Sequence, residues 1–309
     1  MTKKTKKTKK TKIELNKHNH ALLNNFCFHL QVEKGLSENT ITSYRFDVTQ
    51  FLEYYLKDAE TATEKDIINF LVDLQQMHQT HKSLARKRSS LKIFYDFLKD
   101  DAIPIRVDFS KIPTIKYDQT IPDILSVRQM KRLLASIDTS SNLGLRNKAM
   151  LELMYACGLR VSEVIGLSIH DIFWQEEVVR VFGKGKKVRM VPVAKTALRC
   201  LKDYINNSRR QLRQEKQTDI LFLNRLGNKL TRMGIWKIID KIAKNSGIDK
   251  DISPHTFRHC FATHLLEAGA NLRMVQMLLG HASINTTQVY TNIDSTYIST
   301  QHRKYHPRY

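Results

Sequence analysis

The feature that most constrains this fold is a break in its pattern. From Leu15 to Leu98 apolar residues recur at three- and four-residue steps, the spacing of amphipathic helices. Between Ala102 and Pro122 that spacing fails, and Pro104, Pro113 and Pro122 fall there with Lys111, Lys116 and Asp118. Proline has no amide hydrogen to give a helix and pushes the residue before it toward extended backbone. One uninterrupted helical bundle is therefore excluded. The pattern predicts a basic tail (1–14), a first body (15–103), a linker (104–122) and a second body (123–309). A chain of 309 residues is long enough for two cores.

In the first body Ala21, Leu22, Phe26 and Leu30 make one apolar face, and Tyr44, Val48, Phe51, Leu52 and Tyr55 a second. Ile67, Phe70, Leu71 and Leu74 make a third; Leu84, Leu91, Phe94, Tyr95 and Leu98 make a fourth. Gly35 stops the first helix and Ser37 is placed to cap the next. The reading is a small four-helix domain.

The second body opens with Ser126-x-x-Gln129, a capping box ahead of Met130, Leu133 and Leu134. Asn147 to Cys157 reads as an apolar helix closed by Gly158, and Val161 to Leu167 as a short one. The runs 178–182 and 188–192 read as two strands joined across Gly183-Lys184-Gly185-Lys186. Helices are expected over 197–211 and 231–245. Ser253-Pro254 opens another that Gly269 ends, with serine as cap and proline in the first turn. A helix over 271–279 stops at Gly280, and Tyr290 falls on a short helix from about Ile284. The fold class is mainly α, with a small antiparallel sheet in the second body.

Charge indicates what such bodies would meet. Lys plus Arg number 51 against 30 acids, a net +21, and seven lysines lie in the first twelve residues, so +14 remains on the rest. Binding a polyanion releases its counterions, which makes nucleic acid the expected partner class. A ribosome-associated or simply basic protein is the plainer alternative. The Lys/Thr tail has nothing to bury and is expected to be disordered, as a DNA-binding arm or a solubilising tail. No long uncharged apolar stretch is present, so neither a membrane span nor a membrane partner is expected. No apolar segment follows the basic start, which argues against a secretory signal and for the cytoplasm. Cys27, Cys157, Cys200 and Cys260 lie far apart and suit reduced core positions.

The residues able to carry chemistry lie in the second body. Arg160 follows a glycine helix stop and precedes a new helix, with Glu163 three residues on to orient it. Lys184 stands between two glycines at a hairpin tip, where close approach to a bulky ligand is permitted. Lys186, Lys187 and Arg189 beside it favour phosphate contact. His255 and Arg258 are three apart and share a helix face, His255 in the first turn, where free amides favour an anion. Arginine can fork onto two phosphate oxygens. His259 packs or orients a neighbour. His281 follows Gly280 and can donate to a phosphate oxygen. The hydroxyl of Tyr290 can attack phosphorus, although a tyrosine flanked by Val289 and Thr291 is, taken alone, more commonly a core aromatic. Together the set suggests metal-free phosphoryl transfer with tyrosine as nucleophile. His255-x-x-x-His259 has zinc-ligand spacing, but Thr256 stands where a zinc hydrolase needs glutamate and Arg258 would repel the cation. No metal and no cofactor are expected.

This order (Gly-Leu-Arg-x-Ser-Glu, Gly-Lys-Gly, His-x-x-Arg-His, Gly-His, Tyr) resembles the tyrosine recombinases, or phage-integrase family, of Xer type. The resemblance covers nearly the whole chain: the run from Leu36 through Tyr44 and Asp47 is similar to the start of that family's DNA-clamping domain, and His306-Pro307-Arg308 to the ending of one Xer branch. It implies a catalytic set of Arg160, Lys184, His255, Arg258, His281 and Tyr290. Tyr290 would form a 3′-phosphotyrosine, Arg160, Arg258 and His281 would hold the phosphate, Lys184 would protonate the leaving 5′-oxygen, and His255 would assist. The implied partners are a double-stranded DNA recombination site, a homo- or hetero-tetramer with a paralogous recombinase, and a septal DNA translocase. The implied task is chromosome-dimer resolution at cell division. Lys82, Arg86 and Arg88 are candidate phosphate contacts in the first body, and the segment after Tyr290, through Tyr297 and Ile298, would dock on a neighbouring subunit. The lysine-rich extension and the lack of an Asn-Pro near the linker's start depart from the family's pattern. A mobile-element integrase, a non-cleaving DNA clamp and a metal-dependent nuclease are the competing readings.

Overall fold

The computed structural model describes residues 15–116, 124–183, 188–280 and 292–309, the side chains of 292–296 excepted. The chain divides into two units, Met1–Thr120 and Ile121–Tyr309.

The first unit holds four helices: α1 (Lys17–Val32), α2 (Glu38–Tyr55), α3 (Glu64–Gln76) and α4 (His81–Asp100). Their facing sides bury the four apolar sets read from the spacing, except that Tyr44 and Tyr55 are half-buried at the core's edge and Ala21 is exposed, Leu23 taking its place in the core. Phe26 meets Phe94 edge to face at 5.2 Å, and Phe51 meets Phe70 likewise at 5.4 Å, the geometry that ring quadrupoles favour. Ser37 does occupy the cap position of α2, but its hydroxyl bonds the Thr40 hydroxyl instead of a helix amide. Where it is described, the proline-bearing segment is not a free linker. Val107, Phe109 and Ile112 are buried in the first core, and Arg88 donates to the carbonyls of Phe109 (3.2 Å) and Ile112 (2.7 Å). Arg88 is thus corrected from a phosphate contact to a strap for its own chain. Beneath it, Asp47 is fully buried and takes Lys87 Nζ at 3.0 Å, Arg86, and the Ser90 hydroxyl at 2.8 Å. Lys82 is exposed.

The second unit is built on α6 (Asn142–Cys157), which is buried along most of its length. Around it lie α5 (Val127–Ala135), α7 (Val161–Gly166), α8 (Lys195–Tyr204), α10 (Arg232–Asn245), α11 (Pro254–Glu267), α12 (Leu272–Leu279) and α13 (Asn292–Tyr305). A π-helical turn (Ile205–Arg209) follows α8 and leads into α9 (Arg210–Arg213). The Ser126/Gln129 capping box forms at the start of α5 as expected, with both reciprocal bonds made. Strands β2 (Val178–Phe182) and β3 (Val188–Pro192) pair antiparallel with Val181 opposite Arg189, and a two-residue strand β1 (Ile172–Phe173), not foreseen, extends the sheet. The hairpin tip 184–187, the tail 1–14, residues 117–123 and 281–291 lie outside the described residues.

On α11, Phe257, Cys260, Phe261, His264 and Leu265 face the core at the steps of a helix face. Phe261 packs so close to Gly158 that a β-carbon there would sit 2.4 Å from its ring, and Gly158 has φ +58° besides. Only glycine meets both demands, so this junction specifies how α6 ends and where Arg160 begins. The C-terminal helix α13 packs on its own unit: Ile298, His302 and His306 are buried, His302 bonds the Ala156 carbonyl at 2.9 Å, and Arg308 pairs with Glu152. Within the segment expected to dock on a neighbour, Ile298 is committed to its own unit, while Tyr297, Thr300, Arg303, Lys304 and Tyr309 stay exposed. Among the described residues no helix is long and apolar enough to cross a membrane.

Candidate active site

Arg258 is buried, one turn into α11. Burying an unpartnered guanidinium would cost several kcal/mol. Here it forks onto two backbone carbonyls, Gly158 at 2.7 Å and Leu279 at 2.6 Å. These belong to the left-handed cap of α6 and the last residue of α12, so both acceptors sit at negative helix ends. Burial first, and the Arg160 charge second, bring its pKa down to about 10, which leaves it cationic at neutral pH. Each terminal nitrogen keeps one further hydrogen that these bonds do not use.

Arg160 stands at the junction that Gly158 creates. Its side chain retains 38% exposure, with Nη1 3.0 Å from Glu163 Oε1 and Nη2 3.4 Å from the Gly280 carbonyl. Its amide donates to the second Glu163 oxygen at 2.8 Å. The orienting role read for Glu163 is therefore present. Glu163 does more than the spacing suggests, because Arg189 also forks onto it from β3 at 2.8 and 3.0 Å. Burial alone would raise the Glu163 carboxyl; the bonds and charge of Arg189, joined by Arg160, outweigh it and the pKa falls. Arg189 is buried and its Nε donates to the Leu278 carbonyl at 2.9 Å. It is corrected from a phosphate contact to a buried partner of Glu163.

Three successive carbonyls at the end of α12 (Leu278, Leu279 and Gly280) thus receive three arginines, Arg189, Arg258 and Arg160 in that order. Three guanidiniums face one carboxylate, an excess of two positive charges at the point where the chain passes from Gly280 to His281. His255 is exposed in the first turn of α11. His259, expected to pack or to orient a neighbour, is exposed as well and so is not packed, since one helix step from Arg258 turns it away from the core. Lys184, His281 and Tyr290 fall outside the described residues, so the structure brings together Arg160 and Arg258 of the six. Among the described residues no group of three or more His, Cys, Asp or Glu could hold a metal ion.

The chemistry open to such a point is anion binding with tight control of direction: buried, fixed donors stabilise developing charge better than solvated ones. The second partner of Glu163 and the carbonyls of α12 escaped the sequence reading because the groups that meet there are distant in the chain. Alternation along β3 was the available signal for Arg189, which is buried with Val191 while Val188 and Met190 are exposed.

Comparison with known proteins bears on both units. Residues 123–296 match the phage integrase family and residues 23–101 its N-terminal SAM-like domain. The tyrosine recombinase XerD of Listeria innocua is 43% identical over 293 residues, covering 93% of this chain and 99% of that protein. That of Oceanobacillus iheyensis is 44% identical over 292 residues, covering 93% and 98%. Among solved structures, XerH recombinase bound to palindromic difH substrate in a post-cleavage complex has a TM-score of 0.65 at 23% identity, over 90% of this chain and 82% of that one. The Tn1549 transposon integrase in complex with circular intermediate DNA has 0.67 at 19%, over 90% and 98%, and both share the fold. Matches of this extent across both units mean that the chain belongs to the phage integrase family and, within it, to the tyrosine recombinases of Xer type.

Proposed function

We propose that this chain cleaves and rejoins DNA strands at a specific site through a 3′-phosphotyrosine, in the resolution of chromosome dimers at cell division. The Tyr290 oxygen attacks the scissile phosphorus; the bond to phosphorus forms as the bond to the 5′-oxygen breaks. Lys184 gives the leaving 5′-oxygen its proton, and His255 assists in taking the tyrosine's. Arg160, Arg258 and His281 hold the non-bridging oxygens. The 5′-hydroxyl of a partner strand then attacks the phosphotyrosine, restores the diester and releases the enzyme. Bond energy is kept in the covalent link, so the step calls for no ATP, metal or cofactor.

The observation that carries this reading is the convergence of Arg160 and Arg258 on adjacent carbonyls beside Gly280. A phosphodiester carries one negative charge and approaches two as the nucleophile adds, which the local excess of two positive charges complements. The first unit, with its exposed Lys82, contacts the backbone of the same duplex. Action as a tetramer with itself or a paralogue, in the cytoplasm and under a septal translocase, belongs to the same proposal. The test is incubation with EDTA and a duplex carrying a chromosome-dimer resolution site, nicked next to the scissile phosphate. A denaturation-resistant protein–DNA adduct is expected from the parent chain and none from Tyr290→Phe. A site that is bound yet gives no adduct would overturn the proposal.

A further inference from the structure

Arg189 touches no position where substrate is proposed to lie, yet it is the most completely tied of the three arginines. Its two terminal nitrogens take both oxygens of Glu163, and its Nε takes the Leu278 carbonyl. Its side chain is 7% exposed and that of Glu163 3%, so both groups are held away from water. Arg160 uses the same carboxylate, with one side-chain nitrogen and its amide.

That sharing has a directional consequence. A carboxylate with no other partner takes an arginine in the two-toothed fork, because that geometry is the strongest on offer. Arg189 takes one lone pair on each Glu163 oxygen and the Arg160 amide takes the second on Oε2, so Glu163 has one acceptor site left, on Oε1, for a single Arg160 side-chain nitrogen. The remaining donors of Arg160 are left for another anion. Resting on the recombinase reading above, we infer that Arg189 is a positioning residue for strand cleavage: it engages Glu163 so that Arg160 is aimed at the scissile phosphate. It also fixes the end of α12, since a β-carbon at Gly280 would lie 3.2–3.3 Å from the Arg189 side chain.

The test compares the parent chain with Arg189→Met, Arg189→Lys, Arg160→Ala and the Arg160→Ala/Arg189→Met double variant. The DNA is the nicked duplex above with either an ordinary phosphate or a neutral methylphosphonate at the cleavage position. Arg189→Lys keeps a cationic partner for Glu163 but not the fork, and serves as the variant that folds. Melting temperature and gel-shift affinity are read for every variant. Arg189→Met is expected to form adduct at least about tenfold more slowly on the phosphate, the usual cost of losing a supporting partner. On the methylphosphonate, where there is less charge for Arg160 to meet, the deficit shrinks to about threefold or less. Arg189→Lys is expected to bind as the parent does and still cleave slowly. In the double variant Arg189→Met adds nothing to Arg160→Ala.

Equal deficits on the two substrates, parent-like cleavage by Arg189→Lys, or multiplicative losses in the double variant would each overturn the assignment while leaving the recombinase reading intact. A parent chain that binds the duplex and forms no adduct on either substrate overturns both.

Discussion

Each unit sets a buried acid between two cations, and the two arrangements differ in what they leave over. In the first unit Asp47 takes Arg86, Lys87 and Ser90, all from α4, and so pins α2 to α4. Lys87 has a further bond to Gln50 of α2. In the second unit Glu163 draws Arg160 from the α6–α7 junction and Arg189 from β3, while Arg258 arrives from α11 at the same helix end. The first set is a local clasp between two helices. The second makes five elements agree on one point and leaves a net positive excess there. A buried ion pair therefore does not by itself mark a site; convergence from distant elements with donors still to spare does.

The sharpest way to break this comparison is to remove one charged member from each set. Arg258→Ala is expected to slow adduct formation by about 10²–10³ at saturating protein, the cost of losing a fixed donor to a developing anion. Its DNA affinity in gel shifts should change far less. Asp47→Asn is expected to do the reverse. Leaving Lys87 buried without its partner costs about 3 kcal/mol of stability, read as a lower denaturant midpoint, while cleavage per bound complex stays at the parent rate. If Asp47→Asn slowed cleavage as much as Arg258→Ala, the two clusters would not be separable in the way drawn here.

A smaller effect separates the second core from the site it carries. His302 and His306 are buried and stacked on each other, His306 also against Tyr155, and burial lowers both, His302 to about 4. The unfolded chain takes up these protons near pH 6.5 and the folded chain does not. Stability from His302 is thus full above pH 6.5 and is lost as pH falls toward 4, about 2 kcal/mol of it by pH 5. Thermal melts should show a falling Tm from pH 7 to 5 and a shallower fall in His302→Asn. An unchanged Tm would show that α13 is not held by neutral histidines.

Smallest is Ser126→Ala, expected to cost about 1 kcal/mol through the lost cap. That prediction also shows what was legible beforehand. The Ser126/Gln129 box, the Gly158 and Gly280 stops and the β2–β3 pairing depend on residues within a few positions, and the spacing alone located them. Arg160 with Glu163 was legible for the same reason, being three residues apart. Arg189 was misread because its partner lies 26 residues back and its basic neighbours suggested solvent. Val107, Phe109 and Ile112 were read as linker because the prolines around them rule out a helix, and a short packed strap has no period of its own. The burial of His302 and His306 depends on where α6 runs, which no local pattern records.

The end of α12 has one more consequence. The last turn of a helix ordinarily frays by itself, at little cost, because its final carbonyls have only water to lose. Here the carbonyls of Leu278, Leu279 and Gly280 cannot open without letting go of Arg189, Arg258 and Arg160 together. Amide hydrogens at the close of α12 should then exchange only in openings that dissolve the site itself. Their exchange rate would serve as a clock for how often the enzyme is out of readiness.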